Sequence, residues 1–285
     1  MEGIDNAHLD WFIQTALDED IKDGDHTSLA CIPENARTKA RLLAKDDGVI
    51  AGVELAKKIF VAVDPSAIFE EIIPDGKDIK FGDVVFIVEC NTRALLKSER
   101  LVLNTMQRMS GIATLSNRFA FEVEGLPVTI LDTRKTTPLL RFLEKWAVKI
   151  GGCSNYRAGL YDWIMIKDNH IDACGSITKA IDAVHTYLEH TGKNLDITVE
   201  VRNLVEVEEV LHRGGIKRIM FDNFEIPILR EAIAHVNKRF ETEASGGISL
   251  SSVRKIALTG VDFISVGALT HSAGSLDLSL KVIKP

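Results

Sequence analysis

Cysteine is scarce. The 285 residues hold four, Cys31, Cys90, Cys153 and Cys174, and none forms a CxxC pair. Spacing that wide argues against a zinc knuckle, an iron–sulfur cluster or a disulfide-stapled secreted scaffold. Long apolar runs are missing as well. No stretch reaches the roughly 20 residues that cross a bilayer, so no membrane partner is expected. Basic charge is in deficit, with 34 Lys and Arg against 41 Asp and Glu and a net charge of −7. A nucleic-acid partner needs the opposite balance. The opening MEGIDNAHLDWF has neither the basic start nor the apolar core of a signal peptide, so the expected location is cytoplasmic. The remaining composition, 46% hydrophobic and 26% charged, is that of a globular protein. The length suits about two domains of ~150 residues, or one barrel with an addition.

The two parts of the chain read differently. Around 10–18 an amphipathic helix is expected, with Trp11, Phe12, Ala16 and Leu17 on one face. The acidic stretch DEDIKDGDHTS (18–28) reads as a turn. Strand-like runs follow at 38–44, 48–52 and 84–90, with a helical pattern over 53–63, giving a mixed α+β segment. A long helix is expected from near Ser98, with Gly111 as a mid-helix weakness where it could bend. Beyond it, VTIL (128–131), WIMIK (163–167), DITVEV (196–201), KRIMFD (217–222), FETEAS (240–245) and DFISVG (262–267) read as strands, with helical patterns between the later ones. Alternating strand and helix signals a parallel sheet. Six strands with a near-constant repeat suit an incomplete (β/α) barrel.

In such a barrel the reactive residues gather where the strands end. Each strand here runs into polar or small residues: Asp132–Lys135, Lys167–His170, Glu200–Arg202, Asp222–Asn223, Ser245–Gly247 and Gly267. Arg134, Lys135, Arg157 and Lys167 concentrate positive charge in an acidic chain, which points to a polyanionic substrate. Glu200 and Asp222, on successive strands, could share a hard cation such as Mg²⁺ through water. SGGI (245–248) and SVGAL (265–269) offer unobstructed backbone N–H groups for a phosphate. Plainer readings stand beside these. Lys135 and Lys167 could neutralise Asp132 and Asp168, Glu200 and Asp222 could be interior ion-pair partners, and the paired glycines could make a turn. His170 could bond the loop or act in chemistry, and His185, His190 and His235 fall on helical patterns as surface residues. Lys167 could instead serve a Schiff-base aldolase, although Asp168 beside it opposes the apolar setting such a lysine needs.

Taken in order, ALDEDIKDGDHTS, ERLVLNTMQRMSGIAT, LDTRKTTP, GGCSNYRAGLYDWIMIKDNH, VEV, FDN, SGGIS and SVGALTHS resemble the quinolinate phosphoribosyltransferases, or carboxylating nicotinate-nucleotide pyrophosphorylases. The resemblance runs from about Ala16 to Ser272. It implies an N-terminal α/β sandwich (1–115), an incomplete six-stranded (β/α) barrel carrying the active site (116–270), and a C-terminal segment (271–285) returning to the first domain. It implies a homodimer that joins quinolinate to phosphoribosyl pyrophosphate with loss of CO₂, in NAD synthesis. A relative using nicotinate or another acceptor is the alternative.

The resemblance also implies roles. Arg134, Arg157 and Lys167 would hold the quinolinate carboxylates, with Thr133 and Tyr156 beside them and Arg100 reaching in from the partner subunit. Lys135, Lys167, Glu200 and Asp222 would be catalytic, with Glu200 and Asp222 managing Mg²⁺-bound pyrophosphate. Ser245, Gly246, Gly247, Val266, Gly267 and Ala268 would cradle the 5′-phosphate. Two positions depart from the family's pattern. Tyr156 stands where His is usual, and a phenol can donate to a carboxylate but carries no positive charge near neutrality. Leu139 stands where Gly is usual after TTP, so a different loop path is expected.

Overall fold

The computed structural model describes residues 5–283. Along the chain come α1 (Asn6–Ile21), α2 (His26–Cys31), β1 (Arg37–Ala44), β2 (Gly48–Val49), α3 (Val53–Val63), β3 (Ile68–Glu71), β4 (Asp78–Ile79), β5 (Val84–Asn91) and α4 (Thr92–Glu122). Then follow β6 (Thr129–Leu131), α5 (Arg141–Ile150), β7 (Ile164–Ile166), α6 (Asp168–Cys174), α7 (Ile177–Thr191), β8 (Ile197–Val201), α8 (Leu204–Arg213), β9 (Arg218–Asp222) and α9 (Ile226–Val236). The chain closes with β10 (Glu241–Ser245), α10 (Leu250–Ala257), β11 (Phe263–Ser265), α11 (Ala268–His271) and β12 (Leu278–Val282). The molecule divides into two compact units. One takes in the chain up to Leu115, Phe142–Gly151 and the segment from Ala273; the other is Ser116–Arg141 with Gly152–Ser272. The segment 142–151, which lies within the barrel range drawn from the sequence, thus groups with the first unit.

The first unit is built on an antiparallel sheet ordered β12-β1-β5-β3. Alternation decides its faces: Ala40, Leu42 and Ala44 of β1 are buried, and Leu42 stands opposite Phe86 of β5 and Leu280 of β12. Leu55, Ala56, Ile59 and Phe60 of α3 are all buried, and Phe60 meets Phe86 edge-on at 6.0 Å. In α1 the buried face is Leu9, Phe12, Ile13 and Leu17. Trp11, expected on that face, is instead 47% exposed and stacks on His8. The turn expected over 18–28 is shorter, because α1 runs to Ile21 and Asp25 caps α2 by accepting from the Ser28 N–H at 3.0 Å.

Helix α4 starts a turn and a half earlier than the sequence pattern suggests, because Asn91 caps it by accepting from the Arg93 N–H at 2.9 Å. No break falls at Gly111. A Cβ there would lie 1.8 Å from the Gly274 carbonyl oxygen, so glycine serves a close approach of the C-terminal segment, not a bend.

The second unit is a six-stranded parallel sheet ordered β6-β11-β10-β9-β8-β7, with helices between the strands. All six expected strands are present within a residue or two. Among the described residues its two edges, β6 and β7, share no ladder, so the barrel is incomplete, and the outer side of β6 carries the isolated Leu131–Ser154 bridge. β8 is buried along its whole length, as a strand covered on both faces must be. Registers such as Glu200 opposite Met220 and Ser245 opposite Asp222 bring the strand ends to one mouth.

Candidate active site

At the C-terminal mouth of the second unit lies a cavity of about 820 Å³. Of the residues expected from the sequence, Thr133, Arg134, Lys135, Tyr156, Arg157, Lys167, Glu200, Asp222, Ser245, Gly246, Gly247, Gly267 and Ala268 line it. Two do not. Val266 is buried, and its N–H is held by the Leu131 carbonyl in the sheet. Arg100 lies on α4 in the first unit, two-thirds exposed, with Glu99 as its ion-pair neighbour at 3.8 Å. Asp168, Asn223, Met165, Met220, Ile248, Ser265 and His271 also line the cavity. His271 was detectable only as part of SVGALTHS. Its Nε2 and Lys135 Cδ each lie 3.1 Å from where a Cβ on Gly267 would fall, and Ser272 Oγ is 2.7 Å from its Nδ1.

The cations divide into two kinds. Lys167, at the end of β7, is ion-paired with Glu200 from the adjacent β8. It therefore neutralises neither Asp168 nor an empty site, and its setting is not the apolar one an imine-forming lysine requires. Arg134, Lys135 and Arg157 form no ion pair with a described residue. Arg134 Nε is buried with no hydrogen-bond partner. Burial, and then the nearby Arg134 charge, press the Arg157 pKa downward, with Asp162 and Glu243 opposing them in part. Arg157 is steadied by donating to the Trp163 carbonyl at 3.2 Å.

Asp132, the residue after β6, is fully buried and accepts from the Tyr156 N–H at 2.8 Å, tying the Arg157 segment to the Arg134 loop. The loop is fixed further along, where Thr270 Oγ1 donates to the Lys135 carbonyl at 2.8 Å. Leu139 holds a left-handed φ of 66° and is 74% exposed. Its backbone is one that glycine adopts freely, so leucine holds it at the cost of local strain.

Opposite the cations, Asp222 is held at both oxygens: Asn223 Nδ2 donates to Oδ2 at 2.9 Å and Ser245 Oγ to Oδ1 at 3.3 Å. Asn223 is left-handed (φ 57°), a conformation its short polar side chain tolerates. Its amide lies where a Cβ on Gly246 would fall. His170 accepts from the Lys167 N–H at 2.9 Å through Nδ1, which gives it a structural place at the start of α6.

Below the mouth the barrel interior is polar. Arg218 donates to Glu241 Oε2 at 2.8 and 3.0 Å and to Glu243 Oε2 at 3.1 Å, and its guanidinium stacks on Phe263 at 3.7 Å. Glu243 also accepts from Ser265 Oγ. None of Arg218, Glu243, Thr198 and Ser265 was singled out from the sequence.

Models of two families match the chain: the quinolinate phosphoribosyl transferase N-terminal domain over residues 25–110 and its C-terminal domain over 112–281. A quinolinate phosphoribosyltransferase [decarboxylating] of Nicotiana tabacum is 48% identical over 95% of this chain and 81% of its own. A chloroplastic nicotinate-nucleotide pyrophosphorylase [carboxylating] of Arabidopsis thaliana is 47% identical over the same shares. The crystal structure of NadC from Streptococcus pyogenes superposes with a TM-score of 0.92 at 34% identity, covering both chains completely. Relatives include proteins named chloroplastic and mitochondrial, so the family does not fix the expected cytoplasmic location. No helix among the described residues is long and apolar enough to cross a membrane. On sequence over nearly its whole length, and on fold, the chain belongs to the quinolinate phosphoribosyltransferase family.

Proposed function

We infer that the chain transfers the phosphoribosyl group of phosphoribosyl pyrophosphate to quinolinate with decarboxylation, giving nicotinate mononucleotide, pyrophosphate and CO₂ for NAD biosynthesis. The observation that carries this reading is the set of three cations without carboxylate partners, Arg134, Lys135 and Arg157, at one end of a cavity whose other end holds an aligned carboxylate and paired glycines. Guanidinium forks match the two carboxylates of quinolinate, and Arg134 Nε awaits an acceptor. Lys167, already fixed by Glu200, would complete that end. Gly246 and Gly247 would present backbone N–H groups to the 5′-phosphate, together with Gly267 and Ala268. His271 stands ready beside them as a further donor. The catalytic role belongs to the second unit.

The chemistry asks for no protein nucleophile. Quinolinate nitrogen forms a bond to ribose C1 as the C1–O bond to pyrophosphate breaks, and the electron pair leaves with pyrophosphate. The ring, now cationic, accepts the electron pair when the carboxylate at C2 departs as CO₂, and C2 then takes up a proton. Positioning and preorganised charge supply the rate. Lys135 would stabilise the departing pyrophosphate as a point charge.

Among the described residues no three His, Cys, Asp or Glu side chains cluster as a metal site. Glu200 and Asp222 on adjacent strands nevertheless fit Mg²⁺, which takes one or two carboxylates and completes its shell with water and substrate phosphates. When bound it would neutralise pyrophosphate oxygens. A homodimer with Arg100 reaching the partner's cavity completes the reading. Arg100 is largely exposed, and Leu160 and Tyr161 are exposed in the loop following Arg157.

The test is product formation from quinolinate, phosphoribosyl pyrophosphate and Mg²⁺, read by chromatography, with nicotinate as the parallel acceptor. Nicotinate mononucleotide from quinolinate but not from nicotinate is expected. Product from nicotinate alone would move the chain to a non-decarboxylating reaction, and no product from either would sink the chemistry.

A further inference from the structure

Tyr156 lines the cavity, yet its hydroxyl faces the barrel interior. Tyr156 Oη lies 2.7 Å from Thr198 Oγ1, itself fully buried, and is also hydrogen-bonded to Glu243. The donor inventory fixes the direction of this chain. Trp163 Nε1, which can only donate, donates to Thr198 Oγ1 at 2.8 Å. Both Glu243 oxygens already act as acceptors, Oε2 from Arg218 Nη1 at 3.1 Å and Oε1 from Ser265 Oγ, the pattern of a carboxylate, which only accepts. The tyrosine proton therefore goes to Glu243, and the Thr198 hydroxyl donates to the tyrosine oxygen. No proton remains on Tyr156 to offer a substrate carboxylate.

The same contacts close a ring around Arg157. Its guanidinium donates to the Trp163 carbonyl, the Trp163 indole donates to Thr198, Thr198 meets Tyr156, and Tyr156 is bonded through the chain to Arg157. From the other side the Tyr156 N–H is held by Asp132. We propose that Tyr156 is a positioning residue and not a quinolinate ligand: its hydroxyl, committed to the buried Glu243–Arg218 pair, sets the place of Arg157 in the mouth above. This rests on the reading of the cavity as a quinolinate site.

The test is a double-variant cycle on the full-length enzyme with Tyr156→Phe and Glu243→Gln, read in two ways. Each single variant is expected to raise KM for quinolinate about 5- to 20-fold and to leave KM for phosphoribosyl pyrophosphate within about twofold, and the double variant should match the worse single. Multiplying effects, or a Tyr156→Phe enzyme impaired while Glu243→Gln binds quinolinate normally, overturns the proposal. A Tyr156→Phe enzyme indistinguishable from the parent does so too. The second reading is the melting temperature of the same four proteins, where the proposal expects a double variant less destabilised than the two singles added. Additive melting shifts overturn it whatever the substrate, whereas an inactive parent with coupled shifts indicts the reaction and not the network. Should Glu243→Gln fail to fold, Thr198→Val takes its place in both readings.

Discussion

Gly246→Ala tests whether the Asp222 carboxylate and the glycine turn act as one unit. Gly246 has φ 95°, where an alanine costs about 1–2 kcal/mol. Its new Cβ would also fall 2.2 Å from Asn223 Oδ1 and 2.8 Å from Asn223 Nδ2, and that amide is the group donating to Asp222 at 2.9 Å. The side chain can swing outward, because Asn223 is exposed, but it then surrenders a hydrogen bond to a charged acceptor. Water recovers part of that loss. The stability cost is therefore set at about 2–3 kcal/mol, while misplacing Asp222 costs about 1.5–3 kcal/mol in the transition state, or ~10- to 150-fold in kcat/KM for phosphoribosyl pyrophosphate. Gly260→Ala is the control. It has φ 89° with nothing within 4 Å of an added Cβ, so it carries the same backbone strain without the crowding. Steady-state kinetics in each substrate, with thermal melting of both variants, separate the two effects. Equal kinetics for Gly246→Ala and Gly260→Ala would refute the coupling between turn and carboxylate.

In the first unit, Gly111→Ala sets helix propensity against packing: alanine gains about 1 kcal/mol in mid-helix, but a Cβ 1.8 Å from a backbone oxygen costs ~1–3 kcal/mol or more. A lower melting temperature is expected, and a variant melting at or above the parent contradicts the packing argument. Lys135→Ala, which breaks no ion pair among the described residues, should leave melting unchanged while cutting kcat at least tenfold, at about 1.4 kcal/mol per factor of ten; near-normal turnover removes Lys135 from the pyrophosphate. Co-expressing Arg100→Ala with Lys135→Ala should restore about a quarter of parental activity if sites are shared across a two-fold dimer, since half the dimers are mixed and each holds one intact site. No restoration in a verified mixed dimer dismisses the role of Arg100. The Asp25 carboxyl, held by Ser28 through both its hydroxyl and its N–H, lies below the ordinary aspartate range. Its contribution to stability is therefore present above the unfolded value and lost as pH falls through the folded one, and carbon NMR titration showing Asp25 at or above ordinary aspartates contradicts this.

The strands of the second unit were legible because each is a short apolar run ended by chemistry-bearing polar residues, and those ends are what the mouth collects. Other elements were hidden for physical reasons. Helix α5 carries Glu144 and Lys145 within its buried face, so its apolar stripe is interrupted; Glu144 is acceptable there because Arg108 of α4 donates to it at 2.8 Å, a partner 36 residues away. β3 is mostly exposed and β4 has two residues, so neither leaves a period-two pattern. Arg100 meets Glu99 at 3.8 Å in its own unit, an exposed pairing that any surface arginine could make. The polar interior lies one or two steps inside the strand ends, where no motif marks it. Stepping inward by twos from Glu200, Asp222 and Ser245 gives Thr198, Arg218 with Met220, and Glu243, so strand geometry already aimed these side chains into the barrel. What sequence could not supply is their pairing, which depends on the parallel register that sets Arg218 opposite Glu241 and Thr198.

Charge accounting at the mouth explains why the polar interior matters. Lys167 is cancelled by Glu200, so three cations remain to meet a quinolinate dianion, while Asp222 adds a negative charge on the pyrophosphate side. Two guanidinium groups can hold quinolinate, which leaves Lys135 alone against several phosphate charges. On the proposed reading that imbalance would be met by a divalent cation on the Glu200–Asp222 side and by Arg100 of a second copy. It also means that the quinolinate end has no cation to spare. Arg134 and Arg157 repel one another when the site is empty, and each would drift toward solvent unless something fixed it. Arg157 is fixed from beneath, by the Trp163 carbonyl and by a tyrosine anchored on a buried ion pair, so the cost of holding like charges together is met by the fold before the substrate arrives. Preorganisation of that kind appears in binding as a lower KM for the anion that neutralises the pair, which is why the quinolinate KM, and not that of phosphoribosyl pyrophosphate, is the quantity the interior network controls.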